Sequence, residues 1–189
     1  MNVYKLFPTT VIEFDLRGYP NKHLLLKYIQ NSNIIDHGLI NKGKSSFGKE
    51  DILLLPQYQD LKFKIDKCIK DYTDFLLLSP NHMYESWFNI LEKDGRVEQH
   101  HHGGSIISGA YYPLLEDNTC KLVFATPLYS AANYLGKVDF NSPNFYHQFV
   151  MPIKQDYLYL WPGWLEHKTE INKSKKRIVI SFNTKLIKN

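Results

Sequence analysis

Cysteine is scarce in this chain. The two that occur in 189 residues, Cys68 and Cys120, stand far apart. That excludes a disulfide framework and makes a reducing cytoplasm the default expectation. No apolar run approaches the roughly 20 residues that span a bilayer. The opening MNVYKLFP lacks the basic stretch followed by an apolar one that marks a secretory signal, so none is expected. A dominant charge sign is missing too: 23 Lys and Arg against 19 Asp and Glu leave a net charge of +4. The lysines are mixed with acids except at Lys173, Lys175 and Lys176, which reads as a solvated surface and not as a nucleic-acid stripe. Internal repeats and low-complexity tracts are also lacking. What the chain does have is a hydrophobic content of 43%, with 14% aromatic, enough for one well-buried domain.

The pattern along the chain changes near residue 80. Before it, residues 3–15 read as edge strand, with Pro8 barring a central position. Residues 21–34 read as a helix with Asn21 at its N-cap and Leu24, Leu25, Tyr28 and Ile29 at helical spacing. Residues 37–49 read as a mobile surface loop. Residues 58–78 read as the clearest helix, with Leu61, Ile65, Cys68 and Tyr72 forming one apolar stripe. Cys68 is then a core residue.

After residue 80 nearly everything is strand. Residues 83–91 alternate, with Trp87 and Asn89 on one face and Phe88 and Ile90 on the other. Lys93, Asp94 and Gly95 predict a tight hairpin turn, returning the chain as a strand over 96–102. Further strands are expected at 106–114, 121–126, 148–152, 157–161, around His167 and at 177–186. The stretch 127–146 reads as a long loop of the kind that forms lids. Helices followed by about eight antiparallel strands imply two facing sheets or a flattened barrel with a helical buttress over 1–80.

The stretch the chain is organised around is EQHHHGGSIISGAYY, residues 98–112. In an extended segment His100 and His102 share a face, and His101 takes the other. Two imidazoles on one face offer a two-point grip on a metal; the alternative is a polar loop whose histidines merely cluster. Downstream, PGWLEH contributes His167 as a third nitrogen. Ten residues on, Arg177 is the only arginine in the C-terminal third. Its planar fork suits a carboxylate in two-point fashion, and its alternative is a salt bridge at a barrel rim.

The order HHHGGSIISGAYY, PGWLEH and RIVISFN resembles the iron(II)- and 2-oxoglutarate-dependent oxygenases, more narrowly a group found in bacteria and their phages. KLFPTTVIEFDL is similar to that group's opening strand, so the resemblance runs over nearly the whole chain. It implies one domain over 1–189 with a mainly β, double-stranded β-helix (jelly-roll, cupin-like) barrel at 81–189. It also implies Fe(II) held by His100, His102 and His167, with 2-oxoglutarate and O2 as cosubstrates, and Arg177 on the distal carboxylate. The broader superfamily has Asp where His102 stands, a departure that leaves three neutral ligands. Glu98, of the same parity as His100, is the other candidate for a carboxylate.

By the same resemblance Tyr112 donates to 2-oxoglutarate; its other reading is aromatic core. Asn183, Ser181 and Asn89 are candidate cosubstrate contacts or plain barrel filling, and Trp161 and Trp164 candidate walls of the site. The implied reaction is hydroxylation of a small-molecule or peptide substrate with conversion of 2-oxoglutarate to succinate, in the cytoplasm of a bacterium or phage-infected host. Two absences weigh on the other classes. A three-histidine zinc hydrolase would find no H-E-x-x-H base here. A cupin-like binding module would need a Glu shortly after His-x-His, where Gly103, Gly104 and Ser105 stand.

Overall fold

The computed structural model describes residues 1–2, 9–127 and 148–187. Among them, nine strands and two α-helices run in the order β1 (Ile12–Asp15), α1 (Lys22–Asn31), β2 (Ile40–Ser45), α2 (Gln59–Phe75), β3 (Asn81–Val97), β4 (Ile107–Leu115), β5 (Leu122–Ala125), β6 (Gln148–Met151), β7 (Tyr157–Pro162), β8 (His167–Thr169) and β9 (Lys176–Leu186). A six-stranded sheet has the order β1-β7-β4-β9-β3-β2, and a three-stranded sheet the order β6-β5-β8. Every pairing is antiparallel. After β4 the chain crosses to the small sheet, returns at β7, crosses again at β8 and returns at β9. That winding makes the barrel a double-stranded β-helix, as the family resemblance implied.

Strand alternation divides the interior in two. On β9, Ile178, Ile180 and Phe182 face outward into a core shared with Leu61, Ile65, Cys68 and Tyr72 of α2 and with Leu25 and Ile29 of α1. The intervening Val179 faces inward, among Ala110, Tyr112, Phe124, Tyr159 and Trp161. The helical buttress thus seals the outer face of the large sheet and leaves the inner face for the site. Gly109 shows how tight that seal is. It pairs with Phe182 across β4 and β9, and a Cβ there would fall inside the fully buried Phe182 ring. Gly109→Ala should therefore overpack the core by about 1–3 kcal/mol. Thermal melts should drop by about 3–10 °C for a chain of this size.

Several local expectations change. Residues 40–45 of the expected loop form β2, although Asn41, Lys42, Gly43 and Lys44 have poor β-propensity; the exposed backbone of β3 recruits them. The hairpin expected at residues 93–95 is a bulge, and β3 runs straight through it. The Asp94 N–H donates to Asn172 O at 2.7 Å, the Asn172 N–H to Gly95 O at 2.7 Å and Asn172 Nδ2 to Glu92 O at 3.0 Å, so one asparagine absorbs the extra residues. A Cβ on Gly95 would meet the Lys42 carbonyl, which is why glycine stands there.

The expected strand over 96–102 stops at Val97. Beyond it, His100 makes a single bridge. Asn21 occupies the position before α1 without capping it; its amide donates to Asp60 at 2.9 Å instead. Leu24 is half exposed, and α1 buries Leu25 and Ile29. The expectation for 127–146 lies outside the described residues except at its first position, and that for the first strand does so over residues 3–8. No helix among the described residues is long and apolar enough to cross a membrane.

Candidate metal centre

Main-chain bonds bring the two distant motifs together. The His100 N–H donates to His167 O at 3.0 Å, and the His167 N–H returns the bond to His100 O at 2.9 Å. His102 N–H donates to Gly163 O at 2.9 Å, and Gly163 N–H to Ile106 O at 3.0 Å. The Pro162–Gly163 turn is therefore laced to the Gly103–Gly104 turn before any side chain is counted. From this frame the three imidazoles converge, with one ligand atom of each within 4.8 Å of the others.

Ring nitrogens fix their own roles. His100 Nδ1 lies 2.8 Å from the Glu98 carbonyl, and His167 Nδ1 lies 2.9 Å from that of Leu165. A carbonyl only accepts, so each Nδ1 keeps its proton and each Nε2 presents a lone pair to the centre. Burial holds His167 down to about 3 and His102 down to about 4, with His100 adding to both, and burial lowers His100 as well. Three neutral imidazoles are the form a metal needs. Glu98 turns away and pairs with Arg96 at the surface at 2.7 Å, so the carboxylate alternative falls. His101 is exposed.

A cavity of about 300 Å³ opens over the triad. His100, His102, His167, Arg177, Tyr112, Asn183, Ser181 and Asn89 all line it. Arg177 is 1% exposed and forms no ion pair with any described carboxylate. Its guanidinium lies 5.0 Å from the centre of the Tyr112 ring. Burial pushes the Tyr112 phenol up to about 12, Arg177 opposing, so it stays a proton donor at neutral pH.

Among the described residues, five buried side-chain atoms lack a hydrogen-bond partner: Asn81 Oδ1, Asn89 Oδ1, His102 Nε2, Trp161 Nε1 and Arg177 Nε. All but the first belong to residues lining this cavity. Buried polar groups are normally paired, so their concentration here fits a charged, polar guest. The donor set itself fits a divalent metal with positions left open.

Asn183 is already engaged: its Oδ1 accepts from Ser108 Oγ at 2.7 Å and its Nδ2 donates to Glu85 Oε1 at 2.7 Å. Trp161 packs 5.0 Å from His167, as a wall should, whereas Trp164 is 53% exposed and walls nothing. No single residue of the mouth is marked in the sequence. His37 and Phe47 come from the segment read as loop, and Tyr84, Glu85 and Ser105 complete it. Glu85 was within reach, because it shares parity with Trp87 and Asn89.

Three converging imidazoles, His167 buried and His100 and His102 half-buried, with a buried arginine in the same cavity of a double-stranded β-helix make this a metal-binding barrel of the kind non-haem oxygenases use. The chain itself, over residues 85–183, matches the family model described as "Putative 2OG-Fe(II) oxygenase", and it belongs to that family. Its cofactor is accordingly Fe(II), with 2-oxoglutarate and O2 as cosubstrates.

Solved structures share the fold. HygX from Streptomyces hygroscopicus, with nickel and 2-oxoglutarate bound, superposes with a TM-score of 0.67 at 11% identity, over 94% of this chain and 83% of that one. The epimerase SnoN from nogalamycin biosynthesis, dependent on alpha ketoglutarate, gives 0.65 at 10% identity over 94% and 77%. The viral collagen prolyl hydroxylase vCPH from Paramecium Bursaria Chlorella virus-1, in its 2OG complex, gives 0.60 at 10% over 94% and 96%. None of the curated proteins matches the chain in sequence.

Proposed function

We propose that residues 1–189 work as one oxygenase domain that hydroxylates its substrate while converting 2-oxoglutarate to succinate and CO2. His100, His102 and His167 would hold Fe(II), and Arg177 would pair with the distal carboxylate of 2-oxoglutarate. When bound, Fe(II) supplies the place where 2-oxoglutarate and O2 react together and the substrate C–H is oxidised.

The chain's own residues do the rest. Tyr112 supports the Arg177 guanidinium through its ring face and keeps its phenol proton for a hydrogen bond to the carboxylate. Asn89 and Ser181 offer polar groups along the cosubstrate's path, while Trp161 and Phe124 exclude water beside His167. Asn183 serves as a brace between Ser108 and Glu85 and not as a direct cosubstrate contact.

The observation that carries this reading is Arg177. An arginine buried in the same cavity as three imidazoles, with no described carboxylate partner, is costly unless an anion arrives. Hydroxylation is the outcome that asks least of the protein, since no catalytic acid or base beyond these groups is needed.

Anaerobic Fe(II) followed by 2-oxoglutarate should produce a weak visible charge-transfer band, and oxygen should then yield succinate. Purified protein holding stoichiometric zinc and showing no response to 2-oxoglutarate would overturn the reading in favour of a three-histidine hydrolase.

A further inference from the structure

The inner face of the barrel is ordered as a ladder. Arg177 lies opposite Leu91 and Leu115, Val179 opposite Asn89, Ser181 opposite Trp87 and Ala110, and Asn183 opposite Glu85 and Ser108. Arg177 and Asn183 are six positions apart on β9, a span of about 20 Å. The His102 ring stacks on Trp87, with centroids 5.7 Å apart and planes 20° apart, so the imidazoles stand near the Ser181 rung. A cosubstrate reaching from the imidazoles to Arg177 fills one direction along the ladder. Glu85 lies in the other.

Glu85 occupies that place by construction. Its parity with Trp87 and Asn89 keeps Glu85 on the cavity face, and the register shift between Met83 and Glu85 sends Met83 into the helix-side core instead. It is the one carboxylate among the described residues lining this cavity. It makes no ion pair with any described cation. The basic residues lining the cavity are Lys168 and Arg177, and Lys185 outside it rests its ammonium over the Tyr84 ring at 3.7 Å. Asn183 fixes Oε1 of Glu85 at 2.7 Å, itself braced by Ser108. Oε2 is thus oriented by a braced neighbour. Around it stand Trp87, itself met edge-on by Phe47 at 5.0 Å, and Tyr84, whose hydroxyl lies 3.1 Å from Ser105 Oγ. Because His102 and Phe47 already pack on Trp87 and Lys185 lies over Tyr84, the carboxylate itself is the group offered to a cation, with the aromatic side chains as its walls.

We infer that the substrate enters as a cation, an ammonium or guanidinium group held by Glu85 beside Trp87 and Tyr84, which presents a neighbouring carbon to the metal. This rests on the oxygenase reading above and adds to it the chemical class of the substrate. Glu85 itself is not among the clustered metal-ligand atoms, which separates its role from theirs.

The test uses simple probes on the Fe(II)- and 2-oxoglutarate-loaded protein under anaerobic conditions. Binding of hexylammonium, 1-hexanol and hexanoate is measured by ligand-observed NMR, with the charge-transfer band recorded in the same samples. Hexylammonium should bind about tenfold tighter than hexanol, the scale of one hydrogen bond to a charged group, and hexanoate more weakly still. Glu85→Gln can still accept from Asn183, so it should bring the ammonium-to-alcohol ratio close to one; a purely structural role for Glu85 would weaken both probes alike. Equal binding of the three probes, no binding at all, or a preference that survives Glu85→Gln would overturn the inference. If the band forms in those samples the oxygenase reading stands while the cation inference falls. If the band never forms, both fall together.

Discussion

Replacing His167 by alanine should abolish Fe(II) binding and, with it, the charge-transfer band and succinate formation. His167 is 6% exposed, and its ring is held at Nδ1 by the Leu165 carbonyl, so no other described side chain is positioned to replace its Nε2. The loss in metal affinity should exceed the roughly 10–100-fold that follows removal of a mere outer-shell partner. The fold should persist, because the bridge to His100 is made entirely by main-chain atoms that alanine retains. Circular dichroism and the melting curve check that half of the expectation. A His167→Ala protein that takes up Fe(II) like the parent would mean that the three imidazoles do not form the site.

The second large effect has opposite signs in two measurements. Arg177→Met should raise the 2-oxoglutarate dissociation constant by roughly 30-fold to several thousand-fold, the 2–5 kcal/mol scale of truncating one partner of a buried charge pair. Yet the same variant without cosubstrate should melt at the parent temperature or above it. A buried guanidinium lacking a described counter-charge costs free energy, and a hydrophobic residue of similar reach removes that cost. Part of the gain is offset by the lost contact with the Tyr112 ring. Added 2-oxoglutarate should then raise the melting temperature of the Fe(II)-loaded parent but not that of the variant, as linkage requires. Unchanged 2-oxoglutarate affinity in Arg177→Met would detach this residue from the cosubstrate.

The two-faced strands were legible because they alternate cleanly, while the double-stranded β-helix itself came from the family resemblance. Trp87 and Asn89 against Phe88 and Ile90 predict two faces, and the structure buries the two sets in different places. The three histidines and Arg177 were legible because each stands in a short motif with a chemical purpose. What sequence periodicity could not supply was register. The Lys93–Asp94–Gly95 stretch has turn chemistry, and only Asn172, almost eighty residues away, converts it into a bulge. The 40–45 stretch lacks strand-forming residues and pairs solely because β3 offers an open edge. The cavity mouth was hidden for the same reason, since His37 and Phe47 reach it only once that pairing exists. Asn183 stands out in the sequence as a candidate cosubstrate contact or barrel filling, but the bonds that make it a brace depend on which rungs of β3 and β4 it faces.

The position of β9 also bears on how the protein is made. The last described strand is inserted between β3 and β4: Ser181 pairs with Trp87 on one side and Ala110 on the other, both far earlier in the chain. Until it emerges from the ribosome, β3 and β4 present open edges, and the chain lacks both Arg177 and the middle of its large sheet. Such late, long-range closure is slow. Until β9 closes the sheet, those edges are open to pairing with other strands.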